Sequence, residues 1–196
     1  MTLRKRLNEH VESITPYQPG KPIENVAREL GLDPAEIIKI ASNECPLGPS
    51  PKAVKAMKAS AKAMHLYPDG GAYSIRQKLA SQLAVKPEQL IFGNGSNELI
   101  EFIGHCLLKP GTSAVMSQYA FVVYKLVSLM FGAAPIEVPV KAGFTHDLRK
   151  MAKAIRPDSS VVFICNPNNP TGSMVKQADI DAFMDRVPPG VLVVFD

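Results

Sequence analysis

The feature that most restricts the fold of this chain is a regular alternation in its second half. Runs that are apolar throughout alternate with stretches in which apolar residues recur at helical spacing. Strands of this kind are buried on both faces, which is typical of a parallel sheet with helices on either side. We therefore predict an α/β fold with α/β/α layers around a mainly parallel sheet. The predicted strands are QLIFGNG, SAVMSQ, APIEVPV, VVFICN and VLVVFD, and the predicted helices between them are NELIEFIGHCLL, FVVYKLVSLMFG, HDLRKMAKAI and KQADIDAFMDRV.

Composition and charge exclude several classes of function. The chain has 196 residues, of which 46% are hydrophobic, and this is enough for one sizeable core. Its 22 basic and 18 acidic residues are spread without a basic cluster, which argues against nucleic acid and suits an anionic small molecule. Cys45, Cys106 and Cys165 form no CxxC pair, so we predict no disulfides, no metal site and a cytoplasmic location. Neither a signal segment nor a membrane-spanning run is present, so we expect no membrane association.

The stretch CNPNNPTGS, residues 165–173, directly follows an apolar run. Proline cannot donate to a sheet ladder, and Asn, Thr and Gly favour turns, so a strand ends here. In a parallel sheet, ligands bind at the carboxyl ends of the strands. Asn169 precedes Pro170, a bond for which the cis form is accessible at low cost, and a cis turn would direct the Asn169 amide into the cleft. An ordinary turn is the alternative interpretation.

A glycine turn in IFGNGSNELIEF leads into a predicted helix that opens at Ser96 or Asn97. Free backbone N–H groups at a helix start, together with the helix dipole, form an anion site that suits phosphate. A dinucleotide site is excluded, because the third glycine of GxGxxG is absent and the next predicted strand carries no acid for a ribose. The alternative is that Ser96 or Asn97 only caps the helix.

Two further strand ends carry an aromatic ring and an acid. Tyr119 follows SAVMSQ, where its ring could lie against a flat heteroaromatic ligand, although packing is the more frequent role of such a tyrosine. Asp196 follows VLVVF, where a carboxylate carries a desolvation penalty unless it meets a cation. A phosphate cradle, a stacking ring, an amide and an acid together suit a phosphorylated pyridine ring that stays protonated, which describes pyridoxal 5′-phosphate.

The chain carries, in order, the motifs KIASNECPLGPSPKAV, LYPDGGAYSIRQKLA, FGNGSNELIEFI, SQYAFVVYKL, NPNNPTG and VVFD. This series resembles the amino-terminal part of the fold-type-I, class I/II aminotransferases, and most closely the histidinol-phosphate aminotransferase branch. The resemblance implies the sheet of the large, cofactor-binding domain, in incomplete form. It also implies an amino-terminal arm and the start of a small domain over residues 1–50, and the front part of the large domain over residues 51–196.

The resemblance assigns roles to the strand-end residues. The backbone of Ser96 and Asn97 would bind the cofactor phosphate. Tyr119 would stack on the pyridine ring, Asn169 would donate to its phenolic oxygen, and Asp196 would pair with the pyridinium nitrogen and keep the ring charged. Tyr119, Asn169 and Asp196 are therefore the implied catalytic residues of this part of the chain.

Residues of the amino-terminal part also match the family. Tyr67 resembles the tyrosine that reaches from one subunit to the cofactor phosphate of the other, which implies a homodimer; an ordinary turn aromatic is the alternative. Tyr17 and Asn43 resemble positions near the substrate. Cys45 stands where the family usually has asparagine, and we assign it no role.

The chain ends at Asp196, directly after a run that resembles a buried central strand, so we expect it to be part of a longer protein. The family's Schiff-base lysine and substrate arginines would follow Asp196. Lys125 and Lys153 fall on predicted helices, where a solvated role is expected rather than a catalytic one.

The activity implied for the longer protein is transamination between glutamate and imidazole-acetol phosphate, which gives histidinol phosphate in histidine biosynthesis. Within the enzyme class, the alternatives are an aromatic aminotransferase and a threonine-phosphate decarboxylase. The alternative from a different class is that this chain alone is an inactive half-domain, whose uncovered faces make it poorly soluble or molten.

Overall fold

The computed structural model describes residues 8–12, 14–18 and 20–196. These residues form two compact units. The helical unit comprises residues 17–90, and the sheet unit comprises residues 91–196 together with the described residues up to Pro16. The division predicted at residue 50 concerns the domains of a longer protein and stays a prediction.

Short helices joined by turns make up the helical unit, and a further short helix, α1 (Glu9–Glu12), precedes it and belongs to the sheet unit. Pro51 opens one of the helices of the helical unit. Its fixed φ suits the first helical position, where its missing N–H removes no intrahelical bond. The helices of this unit are α2 (Ile23–Leu30), α3 (Pro51–Ser60) and α4 (Tyr73–Leu83), with 3₁₀ turns at Pro34–Glu36, Ala61–Ala63 and Pro87–Gln89.

Helices and strands alternate along the sheet unit, as the sequence predicted. Its four strands pair in parallel in the order β2–β1–β3–β4. Residues Ile136, Val115, Val162 and Val193 stand in register across them. The elements are α5 (Gly95–Leu107), β1 (Ser113–Ser117), α6 (Val122–Met130), β2 (Ala134–Val138), α7 (Leu148–Ala154), β3 (Ser159–Ile164), α8 (Gln177–Met184) and β4 (Leu192–Phe195), with a 3₁₀ turn at Ala142–Phe144.

Apolar residues pack on both faces of the sheet. Successive residues of β3 face opposite sides, which is the period of a strand, so each side of the sheet has its own cluster. One cluster includes Ile100, Tyr124, Val161 and Phe163, and the other includes Leu148, Val162, Ile164 and Phe183. Because α5 and α6 contribute to the first cluster and α7 and α8 to the second, the predicted α/β/α fold with a parallel sheet is confirmed.

The first predicted strand, QLIFGNG, is wrong. Residues 90–93 belong to no strand, and Ile91 is 72% exposed. A strand exists through the hydrogen bonds that it makes with a neighbour, and none of the four strands pairs with this segment. The apolar run predicted a strand, but the described part of the chain contains no neighbouring strand that pairs with it. A local sequence pattern does not reveal whether such a neighbour exists.

Two structural features are absent from the described residues. Among these residues, no helix has the length and apolar character needed to cross a bilayer. In the same part of the chain, no group of three or more His, Cys, Asp or Glu side chains is arranged to hold a metal ion.

Candidate functional site

The loops that follow β1 and β3 meet Asp196, the residue after β4, at the carboxyl edge of the sheet. The side-chain Nδ2 of Asn168, in the loop after β3, donates to the backbone oxygen of Tyr119, after β1, at 3.0 Å. The N–H of Asn166 donates to the backbone oxygen of Asp196, after β4, at 2.9 Å. These two hydrogen bonds bring Tyr119, the loop that carries Asn169, and Asp196 together at one edge, as the sequence predicted for strand-end residues.

The loop of residues 165–173 is ordered by its own side chains. Its two Asn–Pro bonds, Asn166–Pro167 and Asn169–Pro170, are both cis, as the sequence allowed for the second of them. Asn168 is buried and also donates to Thr171 Oγ1 at 2.8 Å. The N–H of Asn169 donates to Cys165 Sγ at 3.3 Å. The half-buried side-chain amide of Asn169 has no partner among the described residues and is therefore available to a ligand.

Tyr119 does not pack in the core, although packing is the more frequent role of a tyrosine in this position. Its side chain is 52% exposed, and its ring meets the edge of Phe144 with centroids 5.7 Å apart. Its φ is +59°, a left-handed conformation that costs a residue other than glycine about 1 kcal/mol. Ala72, Ala84 and Phe144 also have a positive φ, so it is the exposure of the ring, and not its backbone conformation, that leaves Tyr119 accessible to a ligand.

Asp196 continues the ladder beyond β4 and is held by a residue that the sequence analysis missed. Its N–H donates to the backbone oxygen of Ile164 at 3.0 Å, and the hydroxyl of Tyr124 on α6 donates to its Oδ2 at 2.6 Å. Tyr124 is fully buried and stacks on Phe163, with centroids 4.7 Å apart and an interplanar angle of 2°. Burial, followed by the hydrogen bond to Asp196, raises the pKa of Tyr124 well above its ordinary value, so the phenol stays protonated and donates.

Helix α5 begins one or two residues earlier than predicted, at Gly95, and its N-cap is Asn94. Ser96 and Asn97 therefore lie inside the first turn, and the alternative that one of them caps the helix is wrong. The Asn94 side chain makes no cap bond; it donates instead to Glu98 Oε2 at 3.1 Å. The backbone N–H groups of Ser96 and Asn97 are thus left without a cap from Asn94, as a phosphate cradle requires.

The start of α5 points toward the carboxyl edge of the sheet. Ile100 in the middle of α5 and Leu108 directly after it both belong to the cluster on one sheet face, so α5 packs along that face. The helix ends at Leu107 and β1 begins at Ser113 after a short turn, so the helix runs antiparallel to β1. Its first turn therefore lies at the end of the sheet where the strands finish.

His146 supports the start of the loop from the other sheet face. It is buried, and its Nε2 donates to the backbone oxygen of Cys165 at 2.8 Å, while its Nδ1 has no hydrogen-bond partner among the residues that the structure describes. Desolvation lowers the pKa of His146, because protonation of the ring would place a charge in a buried position. No pattern around THDL distinguished this histidine in the sequence.

The remaining predicted positions lie in the helical unit or on helices. Tyr17, Asn43 and Tyr67 are exposed in the helical unit, and their roles stay predictions. Lys125 lies on α6 and pairs with Glu137 at 2.6 Å, and Lys153 lies on α7. The prediction that both lysines fall on helices is confirmed.

Comparisons with known proteins agree with the motifs. The sequence model of the family described as aminotransferase class I and II matches residues 35–196. The chain is 50% identical to a histidinol-phosphate aminotransferase of Akkermansia muciniphila over 100% of the chain and 54% of the relative. It is 51% identical to histidinol-phosphate aminotransferase 1 of Thiobacillus denitrificans over 95% of the chain and 48% of the relative. The chain thus spans about half the length of the relatives that it matches.

Solved structures show the same relationship at the level of the fold. The crystal structure of histidinol-phosphate aminotransferase from Sinorhizobium meliloti, in complex with pyridoxal-5′-phosphate, matches with a TM-score of 0.82 at 25% identity. That match covers 97% of the chain and 50% of the solved protein. An aspartate aminotransferase from Thermus thermophilus matches with a TM-score of 0.79 at 20% identity, over 97% of the chain and 52% of that protein.

Proposed function

Because the chain belongs to the class I and II aminotransferase family, as its motifs predicted, we propose that it contributes the cofactor-binding edge of a pyridoxal-phosphate-dependent histidinol-phosphate aminotransferase. Two relatives at 50% and 51% identity are histidinol-phosphate aminotransferases. The chain corresponds to about half of each, so the activity is proposed for the longer protein of which this chain is a part.

The observation that carries the proposal is the fixed carboxylate of Asp196 at the same sheet edge as an exposed ring and an amide that has no partner in the described part of the chain. Asp196 is held by Tyr124 and by the ladder to β3, while Tyr119 and the loop of Asn169 are hydrogen-bonded at the same edge. Asp196 is exposed, so its carboxylate is accessible, and a carboxylate already held in place suits a cationic partner because it does not have to be oriented when that partner binds. The pyridinium nitrogen of pyridoxal 5′-phosphate is such a partner, and its flat ring and phenolic oxygen suit Tyr119 and Asn169.

Each residue of this edge has a separate task in the proposed site. When bound, the cofactor supplies a sink for the electrons released at the substrate Cα. The carboxylate of Asp196 holds the proton on the ring nitrogen, and the amide of Asn169 orients the ring through its phenolic oxygen. Tyr119 covers one face of the ring and excludes water, and the backbone N–H groups of Ser96 and Asn97 bind the phosphate.

The substrates and the partner subunit complete the proposal. Glutamate and imidazole-acetol phosphate would react to give histidinol phosphate in the cytoplasm. Tyr67 would reach the cofactor phosphate of the partner subunit in a homodimer, and its full exposure in this chain leaves it accessible for that contact. Tyr17 and Asn43 would lie near the substrate, and the Schiff-base lysine and substrate arginines would come from the part of the longer protein outside this chain.

The test is a substrate comparison with the purified full-length protein loaded with pyridoxal phosphate. We expect glutamate to form from 2-oxoglutarate with histidinol phosphate as donor, with a kcat/KM about ten-thousandfold above that for phenylalanine, because a site that pairs a polar substrate group rejects an analogue that lacks this group by about that factor. Higher kcat/KM for phenylalanine would support an aromatic aminotransferase instead. Release of carbon dioxide from threonine phosphate without glutamate formation would support a decarboxylase.

A further inference from the structure

The hydroxyl of Tyr124 lies against the carboxylate that we assign to the ring nitrogen of the cofactor. Its Oη stands 2.6 Å from Asp196 Oδ2, at the short end of the range for hydroxyl donors and typical of a charged acceptor. The two residues are 72 positions apart in the sequence, on α6 and directly after β4. The contact therefore joins a buried helix of the core to the functional edge.

The phenol ring of Tyr124 is held by two other aromatic rings. It stacks in parallel on Phe163 of β3, and it meets the edge of Phe121 with centroids 5.7 Å apart and an interplanar angle of 86°. Both contacts lie in the cluster between the sheet and helices α5 and α6. Because these rings fix the phenol, its hydroxyl has a fixed position relative to the sheet edge.

Asp196 is held by its backbone as well as by its side chain. Its N–H and C=O are bonded to Ile164 and Asn166, so the Cα position is set by the ladder. The hydroxyl of Tyr124 then occupies Oδ2, while Oδ1 has no partner among the described residues. A carboxylate fixed in this way offers one oxygen to a cation and does not have to be oriented when that cation binds.

The phenol of Tyr124 is the donor in this contact. Burial of Tyr124 and its bond to Asp196 raise the pKa of the phenol, which therefore remains a donor at any working pH. The Asp196 carboxylate is the acceptor, so the hydroxyl proton of Tyr124 determines which of its two oxygens is occupied.

We propose that Tyr124 is a positioning residue, whose hydroxyl orients the Asp196 carboxylate and leaves the other carboxylate oxygen for the ring nitrogen of the cofactor. The inference rests on the proposed function, because it requires Asp196 to meet the cofactor. Tyr124 acts through Asp196 and itself contacts neither substrate nor cofactor.

The test is a double-mutant cycle in the full-length protein, with Tyr124→Phe, Asp196→Asn and the double variant. Phenylalanine keeps the stacked ring and removes only the hydroxyl. The dissociation constant of pyridoxal phosphate for each apoprotein is measured by equilibrium dialysis, and the pH dependence of the bound-cofactor absorption band is recorded. Tyr73→Phe is the matched control, since Tyr73 lies exposed on α4 and its hydroxyl has no partner among the described residues.

We expect Tyr124→Phe to raise the dissociation constant about tenfold, the size expected for one hydrogen bond to a charged group. In the Asp196→Asn background the same change should have less than about a twofold effect, because the charged acceptor is already gone. In Tyr124→Phe, the pH at which the absorption band of the bound cofactor changes should shift, because the carboxylate assigned to the ring nitrogen is no longer held in place. The Tyr73→Phe variant should keep the wild-type constant and band.

Three outcomes would overturn the inference. A wild-type dissociation constant and band in Tyr124→Phe would show that the hydroxyl has no role at the site. An equal loss in both backgrounds would show that Tyr124 acts through packing and not through Asp196. Wild-type affinity in Asp196→Asn would remove Asp196 from the cofactor site, which overturns its proposed role together with the inference; the first two outcomes leave that role intact.

Discussion

The sheet unit and the helical unit differ in how they treat their apolar residues. In the sheet unit, all five residues of β1 are buried, and both faces of the sheet carry an apolar cluster. In the described part of the helical unit, only Ala27 and Ala80 are buried apolar residues, while Ile40 is 91% exposed. The sheet unit therefore contains its own core, whereas the helical unit lacks one of comparable size.

The same difference separates the two groups of candidate site residues. The residues assigned to the cofactor of the same subunit belong to the sheet unit, where strands, a ladder and buried side chains position them. Tyr17, Asn43 and Tyr67 belong to the helical unit and are exposed. The cofactor edge is thus formed by the fold of the sheet unit alone. The residues proposed for the substrate and the partner subunit are not positioned by a comparable core in the helical unit.

The largest effect that would sharpen this comparison is expected at Asp196. In the full-length protein, Asp196→Asn should lower transamination by about a thousandfold, because loss of one member of a hydrogen-bonded charge pair costs several kcal/mol. The matched control is Asp185→Asn, an exposed aspartate after α8 that has no side-chain partner among the described residues. Initial rates with histidinol phosphate measure both variants. Activity within a few-fold of wild type in Asp196→Asn would contradict the assignment of the site to the sheet unit.

A pair of isoleucines compares the cores of the two units directly. Ile164→Ala removes a fully buried side chain of β3 and should lower the free energy of unfolding by about 3 kcal/mol. Ile40→Ala removes an exposed side chain of the helical unit and should change it by less than about 0.5 kcal/mol. Urea unfolding of the 196-residue chain, followed by far-UV circular dichroism, measures both changes. Equal losses would show that the helical unit has a core of its own, and absence of a cooperative transition would support the molten half-domain.

Glycines provide a smaller version of the same comparison. A Cβ on Gly104 of α5 would come within 2.5 Å of the Phe131 ring and 2.7 Å of Val127, so Gly104→Ala overpacks the cluster between α5 and α6. Alanine has a higher helix propensity than glycine, which offsets part of this cost, so we expect the free energy of unfolding of Gly104→Ala to fall by about 1 kcal/mol. Gly70→Ala in the helical unit, where a Cβ meets nothing within 4 Å, is the control and should be nearly neutral. A stabilised Gly104→Ala would mean that the two helices are less closely packed than the structure has them.

The smallest effect expected concerns the pH dependence of stability through His146. Its pKa is lowered in the folded state, so below the unfolded value of about 6.5 the unfolded chain takes up a proton that the folded chain excludes. The contribution of the neutral His146 to the free energy of unfolding is complete above that pH. It is lost as the pH falls through the folded pKa, and the free energy of unfolding then decreases by no more than about 1.4 kcal/mol per pH unit. Unfolding free energies between pH 7.5 and 5, a range set by that reference value, should fall less steeply in His146→Gln than in wild type.

The control for this titration is His65→Gln, which replaces an exposed histidine of the helical unit. The same pH series on this variant separates the effect of the buried position from the effect of replacing a histidine by glutamine. Parallel curves for wild type and His146→Gln would show that the buried imidazole is not the group that loses its proton on folding.

Strand-end residues could be found from the sequence because the signal is local. Tyr119, Asn169 and Asp196 each follow an apolar run closely, and parallel strands bring such positions to one edge. Tyr124 could not be found in this way, since a tyrosine inside FVVYKLVSLMFG resembles any packed aromatic residue. Its role depends on a contact 72 residues away in the sequence, which neither spacing nor composition encodes. The error at QLIFGNG has the same origin, because the partner of a strand is also a distant residue.

The most direct test of the account is a crystal structure of the full-length protein with pyridoxal 5′-phosphate bound. We expect the ring nitrogen of the cofactor within about 3 Å of Asp196 Oδ1, with the Tyr124 hydroxyl still on Oδ2 and the Tyr119 ring against one face. A cofactor bound away from the carboxyl edge of the sheet, or an Asp196 carboxylate that does not face the ring nitrogen, would contradict the account.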